Sequence, residues 1–91
     1  MPAVQMTVKG LVQGVGFRYT TKLLADKLGV TGYVKNLDDG AVFIVAQAHQ
    51  PILDQFISGI KASPTPAGRV SEVLIEDVAP KDYTKFSVTY Y

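Results

Sequence analysis

The sequence has no cysteine, no tryptophan and a single histidine, His49. Without cysteine there is no disulfide, no thiolate nucleophile and no zinc–thiolate site, and sulfur says nothing about the redox compartment. The eight carboxylates form no cluster at metal-ligand spacing, so no metal is expected. Charge of one sign is scarce as well. Nine Lys and Arg against eight Asp and Glu leave a net charge of +1, with no basic run that would grip a nucleic-acid backbone or an anionic membrane. No nucleic-acid or membrane partner is expected, and any anion must be caught locally. Long apolar runs are also missing. Nothing is long enough to span a bilayer, and residues 1–9 alternate where a signal peptide would be continuously apolar. The expected location is the cytoplasm.

What is present is a chain of 91 residues, 47% hydrophobic and 19% charged. That is enough apolar material for one core and not for two, so residues 1–91 are read as a single domain. Val4, Met6 and Val8 alternate with Gln5, Thr7 and Lys9, which predicts a half-buried strand ending at Gly10. Leu24 and Leu28 stand four apart, and Leu23 broadens their stripe, as in an amphipathic helix stopped by Gly29. Gly32 to Asn36 and Ala41 to Gln47 flank the turn Asp38-Asp39-Gly40 and read as a hairpin. Pro51 suits the first turn of a second helix, with Ile52, Phe56 and Ile60 on one face down to about Lys61. Ser63 to Gly68 holds two prolines and a glycine and is read as a connecting loop. Val70 to Val78 and a final stretch with Phe86, Val88 and Tyr90 read as strands.

Strand, helix, strand, strand, helix, strand is the α+β arrangement called ferredoxin-like, a split βαβ sandwich with a short extra C-terminal strand. The expectation is an antiparallel sheet with two helices covering one face. That architecture hosts many activities, so function must be argued from a site.

Gly10 to Arg18 lies between the first strand and the first helix. Gly14 and Gly16 permit backbone angles that other residues avoid. Such a turn can aim the N–H groups of Gly14, Val15, Gly16, Phe17 and Arg18 into one concavity, backed by the positive end of the helix. Arg18 adds a planar donor fork suited to phosphate oxygens. The stretch is no NTPase P-loop, since no Gly-Lys-Ser/Thr follows, and it lacks the third glycine of a dinucleotide fingerprint. Taken alone, it reads better as a tight turn with a solvated arginine.

Asn36, at the end of its strand, carries a donor and an acceptor and can orient a water without changing charge. On its own it reads as a turn former. The residues that are missing narrow the substrate. An ordinary phosphate ester expels an alkoxide and needs an acid or a metal. An acyl phosphate expels a carboxylate whose conjugate acid has a pKa of about 4, so it leaves unprotonated. One arginine, a ring of amides and one carboxamide match that bond class.

Taken together, the two segments resemble the acylphosphatase family. Gly10 to Arg18 fits its Gly-x-Val-Gln-Gly-Val-x-Phe-Arg run, and Gly32, Tyr33, Asn36, Gly40 and Val42 fit its second signature. The resemblance implies that Arg18 and the loop amides bind the phosphoryl group and that Asn36 positions the attacking water. It also implies that the substrate's own phosphate accepts the proton, with no covalent intermediate and no cofactor. The implied partner is a small acyl phosphate, with inorganic phosphate or another small anion able to occupy the loop, and the chain is expected to be a monomer. Two positions depart from the pattern. Ala48 stands where glycine usually closes the second signature, and Thr89 stands where arginine is usual, which weakens any C-terminal charge contact.

His49, Asp38 and Asp39 are given no role: the first is read as a surface residue before a helix, the others as turn formers. Lys22 and Lys35 are read as weak anion steering. Phe17, Tyr33 and Phe43 are read as core, Tyr90 and Tyr91 as cover for a sheet edge or core seam. Two rivals remain: an RNA-binding module of the same fold, and the related domain of a larger carbamoyl-transferring maturation protein.

Overall fold

Alternation in sequence becomes burial in the computed structural model, which describes residues 1–90. In β1 (Ala3–Leu11) Val4, Met6 and Val8 are buried while Gln5, Thr7 and Lys9 are half-exposed on the opposite face. Helix α1 (Phe17–Leu28) buries Phe17, Thr21 and Ala25 and packs Leu24 and Leu28 against the core. Leu23 stays 48% exposed and does not join that stripe. Gly29 ends the helix as expected, in the left-handed region with its N–H donated to Ala25 O.

Strands β2 (Thr31–Asn36) and β3 (Val42–Gln47) form the hairpin. Its turn is closed by the Ala41 N–H donating to Asp39 Oδ1 at 3.0 Å, the turn role expected of that aspartate. Helix α2 (Gln50–Lys61) buries Leu53, Phe56 and Ile60, and β4 (Arg69–Val78) and β5 (Phe86–Thr89) complete the elements. Side chains from both helices share one buried cluster with Val4, Met6, Val8, Val34 and Ile44. At its centre the Phe56 and Phe86 rings lie 5.9 Å apart, and truncating Phe56 to alanine would cost about 3–5 kcal/mol.

The sheet runs β4-β1-β3-β2-β5. It is mixed, not wholly antiparallel as expected, because β5 pairs parallel with β2. The register gives the reason. Val78 stands level with Ala3, Ala3 with Gln47, and Gln47 with Thr31, so β4 ends at the end of the sheet where β2 begins. The chain crosses that end and enters β5 beside Gly32, which forces it to run with β2. Gln47 pins the crossing through two 2.9 Å bonds to the Lys81 backbone.

Phe43 is a second correction. It is half-buried on the sheet face away from the helices and does not belong to the core. There its ring lies 6.2 Å from that of Tyr33, with Lys35 Nζ 5.6 Å from its centre. Tyr33 shares that face. Burial, and then the neighbouring Tyr83, raise its phenol above the ordinary value. Phe17 is core, as expected. The reading of Tyr91 lies outside the described residues.

Candidate active site

The sheet end opposite the crossing gathers the candidate residues. Val8 is level with Val42, Val42 with Asn36, and Lys35 with Thr89. The outgoing ends of β1, β2 and β5 therefore meet beside the N-terminus of α1.

The loop from Gln13 to Gly16 turns on two left-handed glycines, Gly14 with φ 75° and Gly16 with φ 78°, angles at which any Cβ is strained. The carbonyls around it are engaged on the outside. Val15 O accepts from Thr65 Oγ1 at 3.0 Å. Gly16 O accepts both the Thr20 N–H at 3.0 Å and Thr20 Oγ1 at 2.9 Å. Helix α1 has no side-chain cap and no acidic residue in its first turn. Among the described residues, no hydrogen bond engages the N–H groups of Gly14 to Arg18. Unpaired amides at the positive end of a helix make an anion site.

Arg18 is half-buried. Its Nη1 donates to Thr89 O at 3.4 Å, and its Cζ lies 4.7 Å from the centre of the Tyr90 ring. A guanidinium stacked on an aromatic face keeps its charge while losing some freedom of position. Asn36 lines the same cavity as Arg18. Its Oδ1 is buried and has no hydrogen-bond partner among the described residues. A buried acceptor left unpaired costs about 1–3 kcal/mol.

Gln13 ties the two walls together. Its Nε2 donates to Leu37 O and to Ala41 O, each at 2.8 Å, so the loop before α1 is fastened to the hairpin that carries Asn36.

Between the walls lies a cavity of about 200 Å³ lined by Gly14, Gly16, Phe17, Arg18 and Asn36, with Tyr90 among its other neighbours. That volume lies below the range of roughly 300–1,000 Å³ typical of drug-sized ligands and suits a small anion. Of the five loop residues proposed from sequence, Val15 alone does not line it; it packs against the core. Among the described residues, the lining contains no carboxylate and no histidine. His49 is exposed before α2. Lys22 pairs with Asp26 at 2.8 Å and Lys35 lies over Phe43, and neither lines the cavity.

Sequence reasoning missed the C-terminal contribution. Tyr90 touches Arg18 and the cavity instead of merely covering an edge, and Thr89 contacts the arginine through its carbonyl. The loss of a side-chain charge at position 89 therefore leaves a backbone contact in place. Gln13 carried a signal, since a glutamine inside a phosphate loop needs partners for both amide hydrogens. Tyr90 carried none, because its place depends on β5 choosing β2. Ala48 is buried at 4% exposure just after β3 ends at Gln47, well removed from the cavity lining.

No three His, Asp or Glu side chains stand together to hold a metal ion among the described residues, and no helix is long and apolar enough to cross a membrane. The family model for acylphosphatase matches residues 4–88. An acylphosphatase of Pediococcus pentosaceus is 56% identical over 90 residues, covering 99% of this chain and 100% of that protein. The crystal structure of an acylphosphatase from Bacillus subtilis superposes with a TM-score of 0.95 at 35% identity, over 99% of this chain and 100% of that one. The HypF protein of T. kodakarensis contains a similar unit, with TM-score 0.86 and 29% identity, covering 98% of this chain but 12% of that one. With the family model matched over nearly its whole length, this chain belongs to the acylphosphatase family.

Proposed function

We propose that the chain hydrolyses acyl phosphates to a carboxylate and inorganic phosphate, with the phosphoryl group held by the amides of Gly14 to Arg18 and by the Arg18 guanidinium, and with water oriented by Asn36. Membership of the acylphosphatase family supports the reaction class. The observation that supports the residue roles is the shared cavity, which is lined by the glycine loop and Arg18 from the start of α1 and by Asn36 from the end of β2.

The chemistry follows from what lines the cavity. The amides and Arg18 neutralise the phosphoryl oxygens as charge redistributes in the transition state. Water oriented by the Asn36 carboxamide, which lines the cavity, attacks phosphorus opposite the leaving group. The new O–P bond forms as the bond from phosphorus to the acyl oxygen breaks. The electron pair leaves on the carboxylate, and the proton of the attacking water passes to the phosphate being released. A carboxylate leaves without a general acid, which agrees with a lining that holds no carboxylate side chain or histidine among the described residues.

Residues 1–91 act here as a single domain, a cytoplasmic monomer on this reading, and inorganic phosphate occupies the loop as product. The direct test is release of phosphate from benzoyl, acetyl and carbamoyl phosphate with and without chelator. Release that is unchanged by chelator is expected. Strong inhibition by chelator, or turnover of phosphomonoesters instead, would remove the mechanism.

A further inference from the structure

The segment between α2 and β4, which its composition marks only as a connector, supports the phosphate loop from behind. Thr65 is 6% exposed. Its hydroxyl donates to Val15 O at 3.0 Å across 50 positions of sequence. The place of Thr65 is itself set twice, because its carbonyl accepts from Ser63 Oγ at 2.8 Å and from the Gly68 N–H at 3.1 Å. Gly68 permits that closeness. A Cβ there would stand 2.6 Å from Ser63 Oγ and 3.0 Å from Thr65 Cγ2.

The bond matters because of which peptide it holds. The peptide joining Val15 to Gly16 has a left-handed glycine on its C-terminal side, and glycine accepts the φ of either orientation, so that peptide can turn over. In a trans peptide the C=O and the following N–H point in opposite directions. Fixing Val15 O outward on Thr65 therefore fixes the Gly16 N–H on the opposite side, and Gly16 lines the cavity. If that peptide turned over, a carbonyl oxygen would face the anion in place of a donor.

We infer that Thr65 is a positioning residue for phosphate, its hydroxyl locking the Val15–Gly16 peptide with the N–H toward the anion and the carbonyl away from it. The inference rests on the loop binding phosphate, as proposed above. It assigns a function to a segment that touches no substrate.

The test is the dissociation constant for inorganic phosphate, measured by calorimetry on the unmodified chain and on Thr65→Val, Thr65→Ala and Thr65→Ser, with thermal melting alongside. Thr65→Val and Thr65→Ala should each weaken phosphate about five- to tenfold, the scale of one lost buried hydrogen bond. Thr65→Ser keeps the hydroxyl and should bind within about twofold of the unmodified chain, even if its melting temperature falls with the lost methyl group. If valine folds poorly, alanine carries the comparison. Phosphate binding unchanged in both valine and alanine variants would overturn the inference, as would a serine variant as weak as valine. An unmodified chain that binds phosphate yet hydrolyses no acyl phosphate would instead sink the proposed function and leave this one standing. A chain that binds no phosphate at all would sink both.

Discussion

Helices α1 and α2 both begin without a side-chain cap and without an acidic residue in the first turn, yet the two ends present different chemistry. At α2 the chain enters through His49, extended at φ −58° and ψ 147°, and a proline stands in the first turn. Pro51 removes one of the free donors, and Gln50 spends its amide on Asp54 at 2.7 Å. The result is a solvated end with one donor fewer. At α1 the chain enters through the left-handed Gly16, with nearby carbonyls tied outward, an arginine as the second helical residue and Asn36 lining the same cavity. The helix dipole is common to both, so it does not make a site. The proposed site adds peptide orientation, a fixed cation and Asn36.

Several substitutions test that contrast. The largest effect is expected from Arg18→Gln, which leaves the α1 end with amides alone: kcat/KM should fall about a thousandfold or more, with phosphate binding weakened in parallel and the fold unchanged by circular dichroism. Asn36→Ala removes the second wall. It should lower kcat about a hundredfold while KM stays within about threefold, the signature of a group that acts on water and not on substrate binding. Gln13→Leu keeps both walls but unfastens them. A loss of about tenfold in kcat/KM and about 1–2 kcal/mol in urea unfolding is expected, since two carbonyls each lose one of two donors and the tie between loop and hairpin is cut.

The smallest effect sharpens the comparison by touching α1 away from its active end. Thr21 is wholly buried, and its Oγ1 has no partner among the described residues. Thr21→Val should therefore raise unfolding stability by up to about 1 kcal/mol with kcat and KM unchanged. A loss of activity there would mean that the hydroxyl serves the site after all.

Much of this architecture was legible in the sequence because the relevant forces are local. Val4, Met6 and Val8 declare a buried face by their period, Gly29 a helix stop, and Asp38-Asp39-Gly40 a turn. Arg18, the glycines and Asn36 were legible as chemistry, and their meeting follows from the sheet register. The rest depends on choices made at a distance. The apolar run Val42 to Ala46 hides which parity faces the helices, so Phe43 reads as core although it lies on the other face. The direction of β5 is set by where β4 ends, and Tyr90 reaches Arg18 only as a result. Thr65 sits among prolines and glycine that disguise a support as a connector.

The most direct test of the central claim is a titration with inorganic phosphate followed through backbone and side-chain amide shifts. The largest shifts should fall on Gly14, Val15, Gly16, Phe17 and Arg18 and on the Asn36 carboxamide, while the first turn of α2 stays still. Shifts spread over the surface, or concentrated at α2 with the loop amides unmoved, would contradict the account.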